Sequence, residues 1–118
     1  MAFTVRVTTE KGEPIVYFSE GYSRQVVESL WRMKRENKIK PESSDCHLEE
    51  IYRIHRDIAV PLLLHKIKEL IQGLKEYLEE PKGNWDYQKD LFHRYEKVIN
   101  VLERPPDEIL IFDVWDMF

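Results

Sequence analysis

The sequence predicts an α+β fold: about four helices packed on a small sheet of about three strands, the sheet made of an N-terminal hairpin plus the C-terminal strand. Three observations predict it. Residues 3–8 alternate apolar and polar side chains with the period of a strand. Most of the stretch from Tyr22 to Glu103 carries apolar residues at helical spacing. After a double proline the chain reads Ile109-Leu110-Ile111-Phe112-Asp113-Val114, a run suited to a strand buried on both faces.

Each element has its own signal. Phe3, Val5 and Val7 alternate with Thr4, Arg6 and Thr8, so one face of this strand is buried. Gly12 and Pro14 mark a turn, and Ile15 to Phe18 form the second strand of a hairpin. Ser19 or Ser23 caps a helix that runs from Tyr22 to Lys38, with Tyr22, Val26, Leu30 and Met33 on one stripe. The stretch IKPESSD breaks the pattern, and Ser44 or Asp45 offers the next cap.

Residues 46–80 read as helical throughout, yet they contain Pro61. As one rod, ~35 residues would measure roughly 50 Å at ~1.5 Å per residue, too long for a domain this small. Proline removes a hydrogen bond and restricts Val60 before it, so two helices, or one sharply kinked, are expected to meet near Val60. Pro81 and Gly83 end the second. Asn84 or Asp86 starts a last helix through Leu91, Tyr95, Val98 and Leu102, which Pro105 and Pro106 stop.

The chain of 118 residues fits one domain, 1–118, and its 42% hydrophobic content is enough for a core without covalent staples. A net charge of −4 argues against a dedicated nucleic-acid coat. A single cysteine, Cys46, excludes an intrachain disulfide and suits a reducing compartment. The opening MAFTVRVTTE has no basic leader followed by an apolar run, and no apolar stretch is long enough to span a bilayer. A cytoplasmic location is expected.

Cys46, His47 and His55 fall within ten residues and raise the question of a metal or nucleophile site. On one helix the two histidines would share a face but stand ~12 Å apart along the axis, too far for one ion with ligand distances of ~2 Å. Adjacent residues on a helix point apart, so Cys46 and His47 make a poor nucleophile pair. His55 reads as a core or boundary residue, and His65 as solvated beside Glu69. His93, with Asp90 and Glu96, is a formal cation site, but Lys89 and Lys97 on the same face make an exposed ion-pair stripe the better account. No phosphate-loop, dinucleotide or serine-hydrolase motif occurs. No catalytic residue, metal ligand or cofactor is therefore assigned.

The first helix is more informative. Arg24 to Lys40 holds six basic and two acidic residues, a surplus of four positive charges in a chain of net −4. At about 100° per residue, Val27 and Trp31 lie about 100–140° round from the main apolar stripe, flanked by Arg24 and Arg35. An indole between arginines is typical of the centre of a protein interface. At the other end Trp115 and Phe118 stand among acids, placed either to pack on the domain and meet the basic helix or to dock on another chain.

The sequence thus favours a small non-enzymatic interaction domain, a regulator, immunity-type inhibitor or assembly factor. Its partner would be another protein or a second copy, bound through Arg24, Val27, Trp31, Arg35, Trp115 and Phe118. The alternatives are a nucleic-acid or acidic-ligand binder using the basic patch Arg32, Lys34, Lys38 and Lys40, and, less favoured, a metal-dependent or cysteine enzyme.

Overall fold

A computed structural model describes residues 3–45, 49–78, 86–104 and 108–116. In chain order these form β1 (Phe3–Thr9), β2 (Pro14–Phe18), α1 (Glu20–Arg35), β3 (Pro41–Asp45), β4 (Glu49–His55), α2 (Arg56–Leu78), α3 (Asp86–Glu103) and β5 (Ile109–Asp116). The strands make one sheet in the order β2-β1-β5-β4-β3, every neighbouring pair antiparallel. The α+β class is as read, but the element count is not. Among the described residues there are three helices and five strands, in place of about four helices on about three strands.

The N-terminal hairpin forms where the alternation places it. Its turn is held by Thr9 N–H to the Glu13 carbonyl at 2.9 Å and Gly12 N–H to the Thr9 carbonyl at 3.0 Å. Gly12 has φ 87°, a backbone conformation that disfavours side chains with a Cβ.

The main correction falls between residues 41 and 60. The break lies at His55 and Arg56, where β4 passes directly into α2, and not at Val60. Ile51, Ile54 and Ile58 mimic a helical stripe, which hid the period-two burial of Tyr52 and Ile54. His55 ends the strand, and its Nδ1 accepts the Asp57 N–H at 3.1 Å, the bond an N-cap makes. Arg56 N–H is satisfied by the Glu108 carbonyl at 2.7 Å. Pro61 lies inside α2, but only about one turn from its start, so it removes a single backbone bond and leaves the helix intact. β3 was missed because Pro41–Asp45 is polar and lies at the sheet edge. Cys46, His47, Pro81, Gly83, Asn84, Pro105, Pro106 and Phe118 lie outside the described residues.

α1 ends in a left-handed stop. Asn37 has φ 59°, its N–H bonds the Lys34 carbonyl at 3.1 Å, and Lys38 N–H bonds the Met33 carbonyl at 2.9 Å, the paired bonds of a Schellman motif. Ser19 occupies the N-cap position without a side-chain bond to the helix. Ser23 is buried, and its Oγ donates to the Phe3 carbonyl, tying α1 to β1.

All three helices cover one face of the sheet. Val5, Val7, Val16, Phe18, Tyr52, Ile54, Leu110, Phe112 and Val114 point inward and join Val26, Leu30, Leu63, Ile67, Leu91, Tyr95 and Leu102 in one core. The side chains between them on the strands point the other way, and there Arg6, Tyr17, Arg53 and Trp115 are exposed. The reading of residues 109–114 as buried on both faces is therefore corrected. Leu110, Phe112 and Val114 are buried, whereas Ile109, Ile111 and Asp113 are only partly covered.

Candidate functional site

β5 is the central strand, and its outward row of Ile109, Ile111, Asp113 and Trp115 forms the middle of the uncovered face. Register places β1 and β4 residues beside that row. Trp115 lies between Thr4 and Glu49, Asp113 between Arg6 and Ile51, and Ile111 between Thr8 and Arg53. Tyr17 extends the face beyond Arg6 and is 53% exposed, and Trp115 is 44% exposed. Apolar and aromatic groups thus occupy the centre, with Arg6 and Arg53 on either side. Arg53 is held by Glu10 at 2.8 Å, which raises its already high pKa.

Asp113 is the unusual member. Its Oδ1 is shut off from solvent and has no hydrogen-bond donor among the described residues. A carboxylate oxygen in that condition carries a desolvation cost of about 1–3 kcal/mol.

The residues singled out on α1 do not form one patch with Trp115. Val27 is 1% exposed and belongs to the core, so it is removed from the surface set. The reason is that the apolar face of α1 is wide enough for Val26 and Val27 to lie against the sheet together. Trp31 is half-buried. Its ring meets Phe3 edge-to-face at 5.2 Å, and its Nε1 donates to Glu50 Oε1 at 3.0 Å. Arg24 and Arg35 are exposed, and Arg24 pairs with Glu28 at 3.2 Å. α1 lies on the covered side of the sheet and Trp115 points from the other.

Glu50 organises this corner. Besides Trp31 it accepts from Lys34 Nζ at 2.8 Å and Tyr52 Oη at 3.0 Å. Burial alone would raise the Glu50 carboxyl, but the bonds from Lys34, Trp31 and Tyr52 outweigh it and hold the group below the usual carboxylate value. Burial and the neighbouring Glu50 push the Tyr52 hydroxyl far upward. The arrangement explains why Trp31 is not free, and it takes Lys34 out of the basic patch. Lys38 is likewise paired, with Glu36 at 2.9 Å, while Arg32 and Lys40 are exposed. The expected meeting of the acidic tail with the basic helix rests on the side chain of Asp116 and on Met117 and Phe118, which lie outside what the structure describes. The ion pairs found for α1 and the turn after it go to Glu28, Glu36 and Glu50.

The described histidines are dispersed. His55 caps α2 and is exposed, which corrects its reading as a core or boundary residue. His65 pairs with Glu69 at 3.0 Å and His93 with Glu96 at 3.2 Å, both on exposed helix faces. Asp90 pairs with Arg94 at 2.7 Å. Among the described residues no three His, Cys, Asp or Glu side chains are grouped to hold a metal ion.

Concavities among the described residues flank the helices. A smaller one of about 270 Å³ is lined by Tyr22, Glu69, Leu70, Gly73, Leu74 and Gln88. A larger one of about 430 Å³ runs between β2 and α3. Sequence reasoning missed the groove and the outward row of β5. Neither has a motif, and each exists only once distant segments pair. No helix among the described residues is long and apolar enough to cross a membrane. Comparison with protein-family models, curated proteins and solved structures finds no match to this chain.

Proposed function

We propose that the chain is a small non-enzymatic interaction domain that binds a protein partner through the uncovered face of its sheet, with Trp115 near the centre of the contact. The observation that carries this reading is the outward row of β5. It sets the half-buried Ile111 and the exposed Trp115 on a face that no helix among the described residues covers. A partner that lays apolar surface over Ile111 and Trp115 gains burial at about 25 cal/mol per Å². Large aromatic residues dominate the energy of such contacts. The partner is another protein or a second copy of this chain. The basic first helix supports nucleic-acid binding less well, because Lys34 and Lys38 are already neutralised by Glu50 and Glu36.

The test is affinity capture from native lysate with the wild type, Trp115→Ala and Trp31→Ala, alongside sedimentation of each purified protein. Trp115→Ala should lose the captured partner, or the self-association, while its melting temperature stays within a few degrees of wild type. Trp31→Ala should instead lower the melting temperature. Retention of the same partner and the same oligomeric state by Trp115→Ala would end the proposal.

A further inference from the structure

The two edges of the sheet differ. Both carry a proline and a register irregularity against the neighbouring strand, but β3 adds the exposed charge of Glu42. Those are devices by which proteins keep an edge from recruiting another strand. β2 has Pro14 at its first position, but Ile15 to Phe18 contain neither proline nor charge, and β2 pairs with β1 alone among the described residues. Alternate peptide groups of β2 therefore face away from the sheet with no ladder partner.

That edge forms one wall of the groove of about 430 Å³, and α3 forms the other through Tyr87, Leu91, Arg94, Lys97 and Val98. A trough between a free strand edge and a helix suits an extended peptide. The edge supplies main-chain hydrogen bonds, and the trough receives alternate side chains. The charge of the lining specifies the rest. It contains Arg94 and Lys97 and no carboxylate. Lys97 has no ion pair among the described residues, and Arg94 is held only by the exposed Asp90 on its own helix. Tyr17 and Tyr87, 53% and 59% exposed, also line the groove and offer aromatic contact.

We propose that β2 and α3 together bind an extended acidic peptide segment, which adds as a sixth strand on the β2 edge, seats apolar side chains on Leu91 and Val98, and sets a carboxylate between Arg94 and Lys97. A second copy of the chain fits less well. Two-fold pairing of β2 with β2 brings the α3 helices to face one another across the seam, with Arg94 and Lys97 opposite their own copies. This groove shares Tyr17 with the uncovered sheet face but not Trp115, so the fate of the Trp115 variant does not decide it.

The experiment pans a phage library of random eight-residue peptides against the full chain and against the double variant Arg94→Glu/Lys97→Glu. Both residues are exposed, so the variant should fold, and its melting curve is compared with wild type first. Peptides enriched on the wild type should carry at least one acidic residue among alternating apolar ones. The charge reversal should weaken those peptides at least ~tenfold in anisotropy titrations, as expected for loss of a charge-assisted contact. Methylating alternate amide nitrogens of the best peptide should abolish its binding, because the strand bonds are then lost. Failure to enrich any sequence would overturn the proposal. So would enriched peptides without acids, equal binding to the double variant, or binding that survives amide methylation. Concentration-dependent dimerisation of the wild type that competes with the enriched peptides would overturn it in favour of the second copy.

Discussion

At Glu50, donors from α1 and β4 converge on one carboxylate, and the two tryptophans that bear on function are separated by what they touch. Trp31 is tied to Glu50 at 3.0 Å and to the Phe3 ring, so it belongs to the structure of the domain. Replacing Glu50 by Ala leaves the Trp31 N–H and the Tyr52 O–H without their acceptor and should cost about 2–3 kcal/mol, read as a drop in the urea midpoint. The pH dependence follows from the lowered pKa. A carboxylate whose folded pKa lies below its unfolded value of about 4.3 stabilises the protein fully above that value. The contribution fades as pH falls through the folded pKa. Urea midpoints should therefore decline below about pH 4.3, and Glu50→Gln should make that decline shallower. An unchanged acid slope in Glu50→Gln would mean that other carboxylates carry it. Trp115, exposed on the opposite face, belongs to no such network, so Trp115→Ala should cost about 1 kcal/mol or less while changing what the chain binds.

Among the elements, those that were legible in the sequence are the ones whose pattern is local. The β1–β2 hairpin, α1 and α3 each satisfy their periodicity within their own residues, and the structure puts Val26, Leu30, Leu91 and Val98 in the core as that periodicity requires. β4 was illegible because Ile51, Ile54 and Ile58 satisfy a helical repeat while Tyr52 and Ile54 satisfy a strand repeat. Pairing with β5, more than fifty positions later in the chain, decides between them. β3 has no apolar signal at all, and its strand state comes from β4. The uncovered sheet face was out of reach for the same reason. Alternation in Ile109–Trp115 shows only after one side acquires helices. The stop of α1, by contrast, is local chemistry and gives a clean test. Asn37 sits at φ 59°, where a residue with an ordinary side chain is strained by about 1–2 kcal/mol. Asn37→Ala should destabilise by about 1 kcal/mol, and Asn37→Gly should leave stability equal or slightly higher, both measured by chemical denaturation.

For the whole molecule, the decisive fact is where β5 lies. The four preceding strands form two hairpins, β1–β2 and β3–β4, and no backbone ladder joins these two directly among the described residues. β5 enters between them and pairs with β1 along Phe3–Thr9 and with β4 along Glu49–His55. The last strand therefore creates the sheet, and with it the floor on which Leu63, Ile67 and Leu102 pack. Cooperative folding must wait for the final segment to pair with residues about a hundred positions earlier, which raises the loop-closure cost and slows folding. It follows that a chain ending at Glu108 should lack a cooperative thermal transition, although the helices retain part of their circular dichroism. In the full chain, the amides of Ile111 to Val114 should exchange with solvent only through global unfolding, while those of the β3 edge exchange much faster. Native-state hydrogen exchange separates this from a modular alternative, in which the two hairpins with their helices hold together by themselves. In that case β5 amides would exchange through a sub-global opening, with a free energy clearly below that of Phe18 and Leu30. Phe112→Ala supplies the same test by another route. As a side chain buried in the central strand it should cost about 3–5 kcal/mol, and because β5 joins both hairpins, that loss should move the unfolding of every element together.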